Sequence, residues 1–449
     1  MKIFTTVFAQ ASVLQSQSKV TADSSRVEQE NHILNIYPEV TSQTILGFGG
    51  AVTESSAVVY QKMDSSAKSR FLQACFGKEG LAYTYGRCSI GSCDFSLSQY
   101  DDFKKTNSKE IDLTHDDRCI LPLLRDIRAV VPLQLMMAPW SPTAAWKTNN
   151  SRIGGGKLKK EFWTSYAAFL CHYVKAYRDQ GFPVPYLSIQ NEPRAVQTWD
   201  SCLFSSEDEY LFLRDSLSEA LNKNHLSQTK VLLYDHNKER LFDYVNDIYH
   251  HKKIRPFVGA AGYHWYSGDH FDAIRLLVKK YPELTIAFTE GCNEHSNSMA
   301  RSEEDKAFRY AREISEGINA GSSLFIDWNI LLNHEGGPNY VGNYCDAPIM
   351  ANEGGTDFNF RFPYYALWHY SHFIKPGALA IGTTRFSDQL DFCSVKNQDG
   401  TIIAIIANPS ETQIEAFLRL ENAVFPLSIP PKSLTTAIFD TNTIRLVAA

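Results

Sequence analysis

Eight short apolar segments recur along the chain, each separated from the next by a longer stretch. They occupy residues 45–50, 82–90, 131–138, 184–190, 230–234, 258–263, 284–289 and 322–327. Short apolar runs bounded by polar residues are typical of buried strands. Helices are predicted between them, for example at 55–76, 161–179, 207–222, 271–280 and 303–320. Eight strand–helix units in series indicate a closed (β/α)8 barrel, and an open doubly wound sheet is the alternative.

The barrel accounts for only part of the 449 residues. Residues 2–8 and 32–37 alternate like strands, and Pro376-Gly377 ends a predicted helix at 364–373. Further strands are predicted at 391–395, 401–407, 414–420 and 435–439, with a hairpin turn at Asp399-Gly400. We therefore predict that residues 1–44 and 376–449 together form a side β-sandwich, and that residues 45–375 form the α/β barrel.

Polar and aromatic residues follow directly after the predicted barrel strands. They are Arg87, Asp94, Trp140, Asn191, Glu192, Asp235, His236, His264, Trp265, Tyr266, Glu290, Trp328 and Asn329. The carboxyl ends of parallel barrel strands all face one mouth, so these side chains should meet there. Taken singly, a tryptophan is more often a core residue, His264 a structural histidine and Arg87 an ion-pair partner. Their shared position favours a binding or catalytic site.

Two of these residues are carboxylates at the ends of apolar strands. Glu192 precedes Pro193, which ends its strand, and Glu290 precedes Gly291. At roughly 25–40 residues per strand–helix unit, the two lie about three strands apart, nearly opposite each other across the barrel mouth. Glycoside hydrolysis uses such a pair: one group protonates the leaving oxygen, and the other attacks the sugar or activates water.

Composition excludes several other classes of function. The net charge of −6 favours neither nucleic acid nor an anionic membrane as a partner, and no apolar stretch could span a bilayer. No HExxH or paired-histidine spacing indicates a metal site, and we expect no metal or cofactor. A carbohydrate is therefore the expected partner.

Cysteine usage and the N-terminal residues predict a cytoplasmic location. The nine cysteines are an odd number and form no CxxC pair, so we expect reduced, buried thiols. Polar residues at Thr5, Thr6 and Gln10 interrupt the first apolar run, which therefore resembles a strand more than a signal peptide.

The strand-end motifs resemble glycoside hydrolase family 30, the family of acid β-glucosidase (glucosylceramidase). In order they are GFGGA at 47–51, SCDFS at 92–96, APWSPT at 138–143, QNEP at 190–193, HWY at 264–266, TEGC at 289–292, DWN at 327–329 and NHEGGPNY at 333–340. A lone Asn-Glu-Pro is a weak signal, but the full series in this order is specific.

The resemblance implies a retaining β-glycosidase with a barrel and a side β-sandwich. It assigns the acid/base to Glu192 and the nucleophile to Glu290. The residues that match sugar-binding positions are Asp94, Trp140, Asn191, Trp328 and Asn343, and those that match positions around the carboxylates are Arg87, His264 and Tyr266. A β-glucoside is the implied substrate.

The chemistry of a retaining pair adds further expectations. The two carboxyl groups should be about 5–5.5 Å apart, and Asn191 should contact the sugar 2-hydroxyl. Arg87 or a hydroxyl donor should keep Glu290 ionised. The charge of Glu290 should raise the pKa of Glu192, so that Glu192 holds a proton when attack begins.

Two segments depart from what we expect of the lysosomal, lipid-cleaving members, namely residues 149–160 and 194–202. They shape the leaving-group side, so a soluble glucoside or a short β-glucan is the expected substrate. β-Xylosidase, β-fucosidase and endo-β-1,6-glucanase activities remain alternatives. A carbohydrate-binding protein without catalysis would lack one of the carboxylates, whereas both Glu192 and Glu290 are present.

Overall fold

The computed structural model describes residues 1–9, 12–101, 111–295 and 301–440. The strands are β1 (Lys2–Ala9), β2 (Ser12–Lys19), β3 (Ile33–Thr44), β4 (Gly47–Ala51), β5 (Tyr85–Ile90), β6 (Gln134–Pro139), β7 (Tyr186–Ser188), β8 (Lys230–Asn237), β9 (Val258–His264), β10 (Thr285–Glu290), β11 (Asn293–Glu294), β12 (Ser322–Asp327), β13 (Cys345–Asp346), β14 (Ile349–Ala351), β15 (Phe358–Phe360), β16 (Leu379–Arg385), β17 (Asp391–Lys396), β18 (Ile402–Asn408), β19 (Ile414–Leu420), β20 (Ala423–Ile429) and β21 (Ser433–Phe439). The α-helices are α1 (Glu54–Lys62), α2 (Ser65–Phe76), α3 (Ile120–Val130), α4 (Trp163–Asp179), α5 (Ser206–Phe212), α6 (Ser218–Lys223), α7 (Leu241–Tyr249), α8 (Phe271–Lys280), α9 (Glu303–Ala320) and α10 (Phe362–Ser371). None of these helices is both long and apolar enough to cross a membrane.

Eight parallel strands close into a barrel. Their order is β4, β5, β6, β7, β8, β9, β10 and β12, and β12 pairs back with β4. The predicted (β/α)8 barrel is confirmed, and the open-sheet alternative is wrong. Strands β4 and β5 approach closely because Gly49 has no side chain. A Cβ atom at Gly49 would lie 2.2 Å from the carbonyl oxygen of Tyr85.

Some helices differ from the prediction. The predicted helix at 55–76 is wrong as a single element, because Met63 is extended and the side chain of Asp64 caps a new helix by accepting from the Ala67 amide. The predicted helix at 207–222 contains a π-helical turn at Leu213–Leu217. Helices α3 and α7 lie between predicted strands, but the sequence analysis gave no bounds for them.

Helix α9 was predicted with its observed bounds, because both of its ends carry clear start and stop signals in the sequence. The side chain of Ser302 accepts from the Asp305 amide, and three acidic residues fill the first turn, where they favour the helix dipole. Gly321 ends the helix with φ of 117°, a left-handed conformation that glycine adopts without strain.

Strands from both ends of the chain form one nine-stranded sheet in the order β2, β1, β21, β18, β17, β16, β3, β19 and β20. The sheet curls over itself, since Phe425 on β20 contacts Phe439 on β21 at 5.3 Å between ring centroids. The predicted side sandwich is therefore confirmed. Strand β20 was not predicted because it contains Pro426, which is tolerated at the edge of a sheet.

The outer face of the sandwich packs on the barrel helices α9 and α10. Side chains alternate along β17, so that Phe392 faces the sandwich interior and Cys393 joins the barrel core. His369 of α10 bridges the seam: its ring nitrogens lie 2.7 Å from the hydroxyls of Thr6 and Thr436. All nine cysteines are buried and unpaired.

The buried His369 makes stability depend on pH. Burial lowers the pKa of His369 to about 3. Folding therefore favours the neutral ring, so this contribution is complete above pH about 6.5 and declines as the pH falls toward 3. We predict that the free energy of unfolding, measured with urea, drops by about 2 kcal/mol from this group between pH 7.5 and 5. His369→Gln should be less stable at pH 7.5 and lose less on acidification. The exposed His334→Gln is the control, and an equal pH dependence in both variants would contradict the assignment.

Candidate active site

The guanidinium of Arg87 forms the floor of the barrel mouth. Arg87 lies on β5 and is fully buried. Its Nη1 lies 2.5 Å from Oε2 of Glu290, while Nη2 donates to Oδ1 of Asn191 at 2.7 Å and to Oδ2 of Asp235 at 3.0 Å. These partners follow or end three other barrel strands. A buried cation needs balanced charge and bonded N–H groups. These contacts balance the charge and bond both Nη atoms, whereas Nε has no hydrogen-bond partner among the described residues.

Three residues at the strand ends have left-handed backbone torsions although none is glycine. The φ angle is 47° at Glu192, 53° at Asp235 and 30° at Asn329. Such conformations cost about 1–3 kcal/mol each and concentrate at functional sites. The Glu192 amide donates to the Asp235 carbonyl at 3.0 Å, and the β8–β9 register shifts beside Asp235. These irregular ends place the carboxylates at the mouth.

His264 connects Glu192 to the buried charges. Its Nδ1 lies 3.1 Å from Oε1 of Glu192, and its Nε2 lies 3.2 Å from Oδ1 of Asp235. The Thr289 hydroxyl donates to the same Asp235 oxygen at 2.6 Å. Burial alone would lower the pKa of His264. The charge of Glu290 and the bonds to Asp235 and Glu192 outweigh burial and raise the pKa to about 9.

The environment of Glu192 differs from the expectation. Burial raises its pKa, but the imidazoles of His236 and His264 lower it by more, and the pKa lies below the ordinary carboxyl value. Nδ1 of His236 is 3.5 Å from Oε1 of Glu192, an electrostatic contact without hydrogen-bond geometry. The expectation that the charge of Glu290 would govern this pKa is therefore wrong. The raised pKa of His264 favours its protonated ring, which lies within hydrogen-bond distance of Glu192.

The contacts of His264 set an upper limit on the distance between the carboxylate oxygens of Glu192 and Glu290. Its Nδ1 lies 3.1 Å from Oε1 of Glu192 and 3.8 Å from Oε1 of Glu290. The two carboxylate oxygens cannot be farther apart than the sum of these distances. This limit accommodates the ~5–5.5 Å separation of retaining pairs and also the lower part of the ~6.5–9.5 Å range of inverting pairs.

Glu290 is held from two sides. Arg87 contacts one oxygen, and the Tyr266 hydroxyl donates to the other at 3.0 Å. The hydroxyl of Tyr266 also lies 3.6 Å from the Cys292 sulfur. Burial raises the pKa of Tyr266 well above its ordinary value, so its hydroxyl remains a donor. Both contacts stabilise a carboxylate with one fixed orientation.

Two indoles form the apolar wall. Trp140 and Trp328 stack with ring centroids 5.4 Å apart, and the Arg87 guanidinium lies over both rings. Phe95 packs edge-on against Trp328. The indoles are only 2% and 3% exposed, so they offer little free ring surface on which a sugar could stack.

Asp94 and Asn343, which were both predicted, meet at the rim. Nδ2 of Asn343 donates to Oδ2 of Asp94 at 3.0 Å. Within the described residues, Oδ1 of Asp94 is buried without a hydrogen-bond partner. Burial and the charge of Glu290 raise the pKa of Asp94 well above its ordinary value. A neutral carboxyl here can both donate to and accept from a ligand hydroxyl.

These side chains surround a cavity of about 150 Å³. The predicted residues that line it are Asp94, Trp140, Asn191, Glu192, Tyr266, Glu290, Trp328 and Asn343. The predicted Arg87 and His264 are fully buried behind the carboxylates. The sequence analysis placed one further lining residue, His236, at the barrel mouth. It did not predict the remaining lining residues, which are Gln197, Trp199, Asn237, Cys292 and Glu294. His236 and Asn237 follow a predicted strand, whereas Gln197 and Trp199 lie in a loop without periodicity.

One trio has the spacing of a metal site. Single ligand atoms of Glu192, His236 and His264 lie within 4.8 Å of one another. Both ring nitrogens of His264 already face carboxylates, and its raised pKa favours the charged ring. A metal-binding imidazole must be neutral, so this trio is better suited to holding a proton.

Comparison with known families identifies the architecture. The model of the glycosyl hydrolase family 30 TIM-barrel domain matches residues 45–374, and that of the family 30 beta sandwich domain matches residues 377–437. This chain belongs to glycoside hydrolase family 30. It is therefore a glycoside hydrolase that acts on carbohydrates, and the predicted family and enzyme class are confirmed.

Relatives of this family 30 chain have different names. Lysosomal acid glucosylceramidase of Mus musculus is 26% identical over 408 residues, covering 85% of this chain and 78% of the relative. The crystal structure of SrfJ from Salmonella typhimurium has a TM-score of 0.92 and 30% identity, covering 98% of this chain and 100% of SrfJ. The endo-beta1,6-glucanase BT3312 has a TM-score of 0.88 and 25% identity, covering 98% and 99%.

The contacts of Asp235 generate a prediction. Asp235→Asn removes one negative charge beside His264, so the pKa of His264 should fall below its wild-type value of about 9. NMR titration of 15N-labelled histidines measures this shift, with His264→Asn used to assign the resonance. Asp215→Asn, at a solvent-exposed ion pair, is the control. An unchanged His264 titration would show that Asp235 does not set its charge.

Proposed function

We propose that this family 30 enzyme is a retaining β-glycosidase that hydrolyses β-glucosides through a covalent glycosyl-enzyme on Glu290, with Glu192 as acid/base. The observation that carries the proposal is the bounded spacing of the two carboxylates, both of which contact the same ring nitrogen of His264. Their positions also match those that the family resemblance assigns to acid/base and nucleophile.

Glu290 has the environment of a nucleophile. Arg87 and Tyr266 each donate to one of its oxygens, which fixes the direction of attack. In the first step a Glu290 oxygen bonds to the anomeric carbon, the bond from that carbon to the leaving oxygen breaks, and the leaving oxygen takes a proton.

Glu192 and His264 supply that proton as a pair. Nδ1 of His264 lies 3.1 Å from Oε1 of Glu192, so a protonated ring can donate to this oxygen. As negative charge develops on the leaving oxygen, the proton passes from His264 through Glu192 to that oxygen and neutralises it. Before this transfer Asp235 stabilises the positive charge of His264. In the second step Glu192 takes a proton from water, the oxygen of that water bonds to the anomeric carbon, and Glu290 is released.

The glucose-binding side is built from Asp94, Asn191 and Asn343. The carboxyl group of Asp94 has one oxygen without a hydrogen-bond partner among the described residues, which suits a hydroxyl of the sugar. Asn191 is fixed by its bond to Arg87, so its amide can contact the 2-hydroxyl, a bond that strengthens in the transition state.

A second candidate is endo-β-1,6-glucanase activity. The name of BT3312, which is similar over 98% of this chain, supports it. Release of oligosaccharides from a β-1,6-glucan polymer would favour this candidate, whereas release of glucose alone would favour the β-glucosidase.

The two carboxylate roles can be separated with azide. Glu290→Ala should lose about 10³-fold or more of kcat/KM on aryl β-glucosides and form an α-glucosyl azide, because azide then attacks from the nucleophile side. Glu192→Ala should lose about 10²–10⁴-fold with poor leaving groups and form a β-glucosyl azide from activated substrates. Product configuration is read by NMR.

The exposed Glu335→Gln is the matched control for a surface carboxylate and should retain wild-type rates. Exchanged azide configurations would reverse the two roles. Preference for a β-xyloside or β-fucoside would keep the mechanism and change the substrate. No turnover of any aryl β-glycoside and of β-1,6-glucan would overturn the proposal.

The proton held by His264 predicts a pH effect. In His264→Gln, Glu192 alone must carry the acidic proton, so the alkaline limb of kcat/KM should move to lower pH than in the wild type. The measurement uses methyl β-glucoside, whose poor leaving group needs an acid. A dinitrophenyl β-glucoside needs no acid and is the control. An unmoved alkaline limb with methyl β-glucoside would exclude the shared proton.

A further inference from the structure

Two loops beside Glu192 are joined into one unit. Residues 147–158 follow β6, and residues 194–204 follow β7. Backbone bonds between them include Gly154 N to Gln197 O at 2.9 Å, Ser201 N to Arg152 O at 3.0 Å and Leu203 N to Gly156 O at 2.8 Å. These are the segments in which the sequence departs from the expected lipid-cleaving pattern.

A buried ion pair fixes the joined loops. Nε of Arg152 lies 3.1 Å from Oδ1 of Asp200, and the two side chains are 10% and 0% exposed. Gln99 donates to the same oxygen at 3.0 Å, and Lys147 donates to the carbonyls of Arg152 and Ser201. The loop that carries Trp199 is therefore pre-formed rather than free to adapt to a ligand.

This loop presents Gln197 and Trp199 to the cavity. Both side chains line it and are half-buried. Within the described residues, the Gln197 amide side chain has no hydrogen-bond partner, and the Trp199 indole has neither a hydrogen bond nor a ring contact. Trp199 packs beside the cluster that contains Trp140. Unlike Trp140, it retains an accessible indole surface.

Polar groups outside these two loops, at the ends of β8 and β11, complete the leaving-group side of the cavity. Glu294 on β11 lines the cavity and forms no ion pair within the described part of the chain. Asn237 accepts from the Tyr266 amide at 3.0 Å through Oδ1, which leaves its NH2 group for a ligand. Burial and the charge of Glu192 raise the pKa of Glu294, in agreement with a position facing the acid/base.

We propose that Gln197, Trp199, Asn237 and Glu294 form a subsite for a second sugar ring, and that the substrate is a β-linked saccharide rather than a glycolipid. The proposal rests on the proposed function, because Glu192 defines the leaving-group side. A pyranose offers an apolar face for the indole and a rim of hydroxyls for the two amides and the carboxylate. A lipid chain would desolvate these polar groups without replacing their hydrogen bonds.

The test compares leaving groups of different size. β-Glucosyl fluoride has no ring on the leaving side, a panel of β-linked glucose disaccharides has one, and glucosylceramide in detergent micelles has a lipid. For Trp199→Ala and Glu294→Gln, the ratio of kcat/KM for the best disaccharide to kcat/KM for the fluoride should fall about tenfold or more. Trp199→Phe retains an apolar face and should restore most of the ratio. Thr198→Ala is the control, since Thr198 is exposed on the same loop and does not line the cavity.

The outcomes separate this inference from the proposed function. A wild-type enzyme that hydrolyses neither β-glucosyl fluoride nor any of the disaccharides would overturn both. Hydrolysis of the fluoride with a ratio unchanged in Trp199→Ala and Glu294→Gln would overturn the subsite alone. A higher kcat/KM for glucosylceramide than for every disaccharide would also overturn it and favour a lipid leaving group.

Discussion

The buried charge of Arg87 determines how the rest of the site is arranged. Its guanidinium is bonded to Glu290, Asn191 and Asp235, each from a different barrel strand end. Removing one partner of a buried ion pair leaves an uncompensated charge, which typically costs about 3–5 kcal/mol. Without Arg87 the carboxylates of Glu290 and Asp235 would repel each other, and their positions would be unstable. The same contacts that make the cation tolerable thus orient the reacting group.

The charge balance also affects the protonation of His264 and Glu192. Arg87 neutralises one unit of the negative charge of Glu290 and Asp235, and a protonated His264 neutralises the other. Glu192 can then ionise beside His264 and His236. Because His264 and Glu192 are in contact, the titrations of the two groups that we propose as the acid are coupled. A close relative with a different partner for His264 should have a different pH dependence with the same two glutamates.

The features predicted correctly are those that local sequence determines. Apolar strands that end in Glu192 and Glu290 are visible because strand length, Pro193 and the repeat of strand–helix units constrain where each side chain points. The helix break at Asp64 depends on a capping bond to the nearby Ala67 amide. The charge of His264 depends on partners far away in the sequence. Trp199 belongs to a loop whose conformation follows from the Arg152–Asp200 ion pair, which no periodicity reveals. Pairing of distant charges is thus the information that this single sequence did not supply.

This division has a consequence for specificity. Of the groups proposed to bind glucose, Asn191 is fixed by its bond to Arg87, and Asp94 is bonded to Asn343. Of the groups proposed to bind the leaving group, Gln197 and Trp199 project from loops that Lys147, Arg152 and Asp200 hold together. Substitutions in these loops can change the leaving group without disturbing Arg87 or the carboxylates, because no barrel hydrogen bond depends on them. A family that shares one mechanism can therefore include enzymes with lipid and saccharide leaving groups. In this chain, substitution of Trp199 should distinguish between these two kinds of leaving group.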